Sequence, residues 1–446
     1  MVGIPLSRGC QPCRRRKVKC DEKRPACLRC TISNLVCPGY PIRLKFIDEG
    51  PRFKGNPCTP QSSPEQSLPL SLPGSSSENL SFKLCQTFRP DLPVVKSVAT
   101  LSKDTFVTEL PRHVGLSLAC DLAMRALCLA HDTILNPENP VLVQQSRIQY
   151  SQALTELQLC VADLERATTM GTICAAMLLS MFELLCADFG ASIRHAGGAS
   201  RLIEASGPHQ FKDPFAYRML HTLQGPIVVE CILYRRRCFL DAPLWRDVCR
   251  RIQSPFNTLF SRLSRLPNIL CALRELESIS TGHSRERTSL SDQIVALRND
   301  LQKWRDAPGH AELFCTTTCP STEFFEFNLN YTSRNAAELL CTYAAMMILL
   351  NSALLVLSHS KIPLYKLQNL MLAKQICQSY EYSRVCSPVG SLAMDFAFRV
   401  AYVVPDASQK KWIVEKMNEM ASPLGGPRHT DVEETELESC FDYLKC

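Results

Sequence analysis

Six cysteines spaced Cys-x2-Cys-x6-Cys-x6-Cys-x2-Cys-x6-Cys, at Cys10, Cys13, Cys20, Cys27, Cys30 and Cys37, constrain this chain more than any other feature. A Cys-x-x-Cys pair can turn both sulfurs toward one metal ion, because two intervening residues of backbone suffice for the bite. A third cysteine follows each pair at the same interval. Two tetrahedral Zn²⁺ ions need eight sulfur contacts, and six sulfurs supply eight only if two of them bridge. The spacing therefore predicts a binuclear cluster of two Zn²⁺ rather than two separate fingers.

The residues between the ligands indicate what such a cluster serves. Cys13 is followed by Arg14, Arg15, Arg16, Lys17, Val18 and Lys19 before Cys20. A loop this short has no interior, so its side chains point outward. Nine Lys/Arg lie between Arg8 and Arg29, against Asp21 and Glu22. Six thiolates with two Zn²⁺ remove only two of those positive charges. The result is a compact cationic object suited to the phosphates of double-stranded DNA. A disulfide framework also uses paired cysteines, but the first twenty residues lack the apolar core of a secretory signal. A metal store would not need the basic run, and a ribbon-type zinc site would use four ligands.

At these residues the chain resembles the fungal Zn₂Cys₆ binuclear-cluster transcription factors. The resemblance rests on Cys-x-x-Cys-Arg-Arg-Arg-Lys-x-Lys-Cys-Asp, then Arg24-Pro25-x-Cys27 and the second Cys-x-x-Cys. It implies that Cys10 and Cys27 bridge the metals and that Pro25 bends the joining loop. It also implies that Lys17, assisted by Arg16, reads a CGG-type triplet from a short helix in the major groove. Arg16 can fork onto guanine O6 and N7. Arg14, Arg15, Lys19 and Lys23 complete the expected DNA-contacting set.

Net charge is +7, yet residues 1–54 hold thirteen Lys/Arg against four acidic residues. The rest of the chain is thus slightly acidic, and the expected nucleic-acid contact is confined to one end. Residues 1–9 read as a basic arm and residues 10–40 as the DNA-binding domain. Residues 41–107, rich in Ser and Pro, read as a largely disordered linker. Pro41, Pro51 and Pro57 stand where related chains carry a dimerising coiled coil, which leaves dimerisation open.

From residue 108 to 424 the apolar pattern is helical, and the expected fold is a small zinc-stabilised module plus an all-α domain. Leu116, Ala119, Cys120, Ala123, Leu127 and Ala130 form one stripe. Ile148, Ala153, Leu157, Val161 and Leu164 form the expected buried side of the next helix. Thr169 to Leu185 is apolar nearly all round, as in the middle of a bundle. Further helices are expected near Pro214–Tyr234, Leu290–Trp304, Asn335–Leu357, Lys366–Ser383, Ser391–Val404 and Gln409–Met420. Leu339 to Leu357 is uncharged for nineteen residues. That is long enough to cross a bilayer, but its Thr, Asn, Ser and Ala content favours a core helix and no membrane.

The order Phe182-Glu-Leu-Leu185, His195-x-x-Gly198-Ala199-x-x-Leu202-Ile203, Gly207-Pro208 and Phe239-Leu240-x-x-Pro243-x-Trp245 resembles the helical fungus-specific transcription-factor domain. No catalytic role travels with that resemblance. His195 is the one tempting base, but the chain offers no phosphate loop, nucleophile elbow or paired His ligands. Cys315-x3-Cys319 with His310 lacks the second pair of a metal site. Most of the eighteen cysteines outside the cluster sit on apolar stretches as small core hydrophobes. Residues 425–446 form an acidic tail with interleaved Leu437, Phe441, Tyr443 and Leu444, the composition of a coactivator-recruiting segment.

The function expected is a nuclear, non-enzymatic regulator of RNA polymerase II genes that binds specific DNA. The alternative is a ligand-sensing or scaffolding helical protein whose DNA-binding head is ancillary.

Overall fold

The computed structural model describes residues 10–21, 27–33, 35, 37, 76–88, 106–136, 138–186, 188–251, 254–278, 284–310, 316–321, 324–357, 362–386, 394–404, 407–420 and 434–444. The chain divides into two units, residues 1–55 and residues 56–446. The basic arm, Lys23, Pro25 and residues 41–75 of the expected linker lie outside the described residues, as do residues 425–433 of the tail.

The first unit contains two short helices, α1 (Gln11–Arg15) and α2 (Leu28–Ile32), packed on each other. Among its described residues, the buried ones are Cys10, Cys13, Cys27 and Cys30, with Cys20 and Cys37 half-buried against them. A unit whose interior is sulfur has almost no hydrocarbon core, so another source of stability must hold it.

The second unit is predominantly helical. Three of its helices start where the sequence supplies both a capping side chain and a proline at the first turn. Asn139 caps α5 (Pro140–Ala162), Asp213 caps α8 (Pro214–Leu233) and Ser254 caps α10 (Pro255–Leu263). In each, a side-chain oxygen accepts an otherwise unpaired backbone N–H, and proline gives up an N–H that had no partner there. Ser117 caps α4 (Leu118–Leu135), Thr169 caps α6 (Met170–Leu185) and Asp188 caps α7 (Phe189–Ser206) in the same way.

Helices α4, α5, α6 and α7 pack consecutively, with α6 central and buried on nearly every side. The α4 stripe is as expected from Ala119 to Ala130, but Leu116 precedes the helix and is exposed. The buried face of α5 differs from the expected one. Ala153 and Leu157 are buried, whereas Ile148 is 48% and Leu164 85% exposed. The face is set by Ser146, Tyr150, Leu154 and Cys160 instead. Tyr150 turns inward because its hydroxyl finds a buried partner and its ring stacks on Phe182 at 4.5 Å.

Gly207 ends α7 with φ +81° and ψ 160°, a positive-φ conformation, outside the left-handed helical region, that glycine adopts readily. The turn that follows brings Phe211 onto Trp245, whose other side meets Phe239, at centroid distances of 5.5 and 4.8 Å. That aromatic cluster is the physical content of the Phe239–Trp245 motif.

After α9 (Pro243–Cys249), α10, α11 (Leu266–Glu277) and α12 (Ser284–Arg305), the chain reaches α13 (Arg334–Leu357). The buried stripe of α12 is the expected Leu290, Ile294, Leu297 and Leu301, with Trp304. Helix α13 is the core helix of this unit, with 89% of its most apolar window buried. It packs against α12, α14 (Ile362–Gln378) and the helix Asp395–Ala401. Its Asn351 is completed by Arg298 at 2.9 Å and Asn369 at 3.0 Å, so the amide is not stranded in the core. Helices α15 (Tyr380–Cys386) and Ala407–Met420 fill out the expected C-terminal set.

Three features depart from the sequence expectation. An antiparallel hairpin, β1 (Thr316–Pro320) with β2 (Phe327–Tyr331), interrupts the helices, with Thr316 opposite Tyr331 and Pro320 opposite Phe327. It forms because Phe327, Leu329 and Tyr331 alternate with two asparagines and pack on Ala336, Ala337 and Leu340. Helix α3 (Ser76–Thr87) lies within the stretch expected to be disordered linker. Leu80, Leu84 and Phe88 are buried, Lys83 pairs with Asp132 of α4 at 2.7 Å, and the helical unit therefore begins well before residue 108. The tail also departs. Its helix Glu434–Cys440 and the turn after it bury Leu437, Phe441 and Leu444, and Arg235 holds Ser439 O at 2.9 Å and Asp442 at 2.8 Å. Burying those apolar residues on the body is more favourable than suspending them in water.

Candidate metal centre and nucleic-acid interface

Each Cys-x-x-Cys pair spans the start of a short helix. Cys10 immediately precedes α1 and Cys13 lies within it; Cys27 is the N-cap of α2 and Cys30 lies one turn on. The Cys27 Sγ accepts the Cys30 N–H at 3.3 Å, and the Cys37 Sγ accepts the Cys27 N–H at 3.5 Å. Backbone N–H groups directed at sulfur favour thiolate over thiol.

The six sulfurs form two quartets, Cys10, Cys13, Cys20, Cys27 and Cys10, Cys27, Cys30, Cys37, each with its sulfurs within 4.8 Å of one another. Cys10 and Cys27 belong to both. Four sulfurs at about 2.3 Å from a tetrahedral zinc stand about 3.8 Å apart. The separations here are 3.6 Å for Cys10–Cys27 and Cys10–Cys30, 3.7 Å for Cys13–Cys27 and 3.8 Å for Cys20–Cys10. A disulfide would need about 2.05 Å, and all of these cysteines are free. The donor set thus fits zinc and excludes the disulfide framework weighed from sequence. Loss of water raises the Cys10 and Cys13 thiols and pushes Cys30 up to about 12. Their protons leave when a cation takes their place.

The backbone between the third and second ligands carries the basic run. After α1, Arg16 N–H bonds Pro12 O and Val18 N–H bonds Cys13 O, both at 3.0 Å. Lys17 sits in the left-handed region with φ 52°. A residue with a Cβ pays about 1 kcal/mol for that conformation, which here stops α1 and returns the chain to Cys20. Arg15, Arg16, Lys17 and Lys19 are all exposed on this turn. For Arg14 only the backbone, within α1, is described, and Lys23 lies outside the described residues.

Among its described residues the body offers no comparable constellation. Among the described residues, the groups able to hold a metal are the two cysteine quartets. His310 donates its Nδ1–H to Trp304 O, 2.7 Å away, and Cys319 donates its S–H to Asn328 O; Cys315 lies outside the described residues. His195 is buried with its Nε2 2.9 Å from the Tyr150 hydroxyl. Burial, then the neighbouring Arg194 charge, pushes its imidazole down to about 4. It is a neutral, hydrogen-bonded core residue at neutral pH. Sequence reading missed Tyr150 as its partner because the two are 45 residues apart. The signal available was an unassigned aromatic on the inner side of α5.

Residues 8–46 match the fungal Zn(2)-Cys(6) binuclear cluster domain. The transcriptional regulatory protein moc3 of Schizosaccharomyces pombe is 36% identical over 70 residues, 16% of this chain and 14% of that protein. The arginine metabolism regulation protein II of Saccharomyces cerevisiae is 44% identical over 63 residues, 14% of this chain and 7% of its own length. The aspercryptin biosynthesis cluster-specific transcription regulator atnN of Emericella nidulans is 25% identical over 345 residues, 67% of this chain and 52% of atnN. These matches therefore take in about half of the relative's length at most. The atnN match is too long for the cluster alone and must include the helical body. No solved structure matches the chain. Six cysteines in two quartets that share a pair, with the basic turn beside them, mark residues 8–46 as a fungal Zn(2)-Cys(6) binuclear cluster domain, and the relatives that match the chain are named as transcription regulators.

Proposed function

We propose that this protein is a nuclear regulator of RNA polymerase II genes whose head holds two Zn²⁺ and reads CGG-type triplets. The observation that carries the reading is the sharing of Cys10 and Cys27 between the two quartets. One thiolate at each shared position can bind both ions and so stiffen a peptide with no hydrocarbon core. Zinc supplies structure here and no chemistry. The side chains then act on DNA. Lys17, aimed by its left-handed backbone, and Arg16 reach base edges, while Arg14, Arg15, Lys19 and Lys23 neutralise phosphates.

Two substitutions separate these roles. Lys17→Ala is expected to cost about 1–3 kcal/mol at CGG-containing duplexes and to relax base preference there. Lys23→Ala is expected to weaken binding evenly across sequences and to lower its salt dependence. Affinities on CGG and scrambled duplexes check both; an even loss with Lys17→Ala removes the readout role. Selection of bound sites from random DNA by the full chain gives the triplet, and one or two half-sites distinguish monomer from dimer.

Contact with coactivator through the body or the acidic tail completes the reading. The tail can recruit a partner only after Leu437, Phe441 and Leu444 leave the body. Residues 425–446 fused to an unrelated DNA-binding domain are expected to activate a reporter, and silence of that fusion ends the tail's part.

A further inference from the structure

The helical unit encloses a cavity of about 400 Å³ bounded by α6, α7, α8, α10, α13 and the helix Asp395–Ala401. That volume lies in the range of about 300–1,000 Å³ typical of small-molecule sites. Most of the wall is apolar. Met181, Phe189, Pro226 and Val229 line it and are only half-buried, although each stands on a helix of the body. Pro226 removes a backbone hydrogen bond from α8, and it and Gly225 both line the space.

Ser180, Ser192, His221, Thr222 and Ser254 also line it, and three further polar side chains come from one helix. Asn335, Glu338 and Thr342 fall at i, i+3 and i+7 on α13 and all line the cavity. Helix α13 is otherwise strongly apolar, and its other internal polar pair, Asn351 and Ser352, is hydrogen-bonded to α14. Asn335, Glu338 and Thr342 have no side-chain hydrogen bond among the described residues. Loss of water holds the Glu338 carboxyl above its ordinary value, with Arg334 opposing.

Asn335 is exposed and Glu338 and Thr342 are half-buried along the wall, so a molecule entering the space meets all three. We propose that this cavity binds an uncharged, largely apolar small molecule whose hydroxyl or carbonyl group is held by Asn335, Glu338 and Thr342. The site rests on the body alone and is independent of what the head reads.

The probe is 6-propionyl-2-dimethylaminonaphthalene, an uncharged apolar ketone whose emission shifts to the blue in a dry site, titrated into the full chain. Saturable binding of one dye per chain is expected. Val229→Trp, which fills the space, is expected to weaken it at least tenfold, with the thermal unfolding profile kept. Glu338→Leu is expected to weaken it about tenfold, and Glu338→Gln, which still hydrogen-bonds, to restore most of the affinity. Thr342→Val tests the same edge with almost no change of volume. The competing surface is the exposed stripe of Leu364, Leu367, Leu370 and Met371 on α14. No saturable binding, or binding indifferent to Val229→Trp and Glu338→Leu but lost in Leu367→Ser, overturns the proposal.

Discussion

Cys10→Ser or Cys27→Ser is expected to strip both metal ions from the head and unfold it, whereas Cys13→Ser leaves about one ion in place. The asymmetry follows from the quartets. Serine at position 10 or 27 breaks both sets of four sulfurs, while serine at position 13 leaves Cys10, Cys27, Cys30 and Cys37 intact. Structural zinc contributes about 10–16 kcal/mol to small metal-folded modules. Among the described residues of this unit nothing else approaches that, because the buried ones are the cysteines themselves. Metal content per full-length chain, measured by native mass spectrometry, should read about zero for the two shared positions and about one for Cys13→Ser. DNA binding should vanish in the first two and persist weakly in the third. Equal loss from all three variants would show that no sulfur is shared.

The second large effect belongs to the body. Gly197 of α7 faces Glu230 of α8, and a Cβ at Gly197 would stand 2.5 Å from its Oε1, 2.8 Å from Cδ and 2.9 Å from Cγ. The clash reaches down the side chain, so rotating the carboxylate tip does not relieve it. Glu230 is only 2% exposed and is held by Arg236 at 2.9 Å and Arg201 at 3.6 Å. Gly197→Ala must therefore part α7 from α8 or push a buried carboxylate off its arginines. Breaking a buried pair costs about 3–5 kcal/mol, and a loss of that size is expected in the urea midpoint of the full chain. Because the two positions act through one contact, Gly197→Ala with Glu230→Ala should cost no more than Glu230→Ala alone. Additive losses, or a single-variant loss below about 1 kcal/mol, would mean that Gly197 does not set this approach.

Much of the site was legible because metal ligation is local. The interval between cysteines fixes which sulfurs can meet, and all six meet as the spacing requires. The left-handed backbone of Lys17 was not legible, since nothing in Lys-Val-Lys marks a positive φ. It follows from the need to bring Cys20 back after a helix of five residues. Helices α4, α6, α12 and α13 were legible from apolar spacing, which burial on one or all sides imposes at short range. The hairpin was carried by the two-residue alternation Phe-Asn-Leu-Asn-Tyr, a signal too short to stand out among helices.

Sequence alone determined the cluster, the basic turn, the apolar stripes and the helix starts at Asn139-Pro140, Asp213-Pro214 and Ser254-Pro255. Each is set by residues within a few positions of one another, where covalent geometry limits the choices. Only the tertiary structure decided the docking of α3 and of the tail, the Tyr150–His195 pair, the Gly197–Glu230 approach and the cavity beside α13. Those depend on which surfaces meet across tens to hundreds of residues, and the free energy of burial is indifferent to distance along the chain.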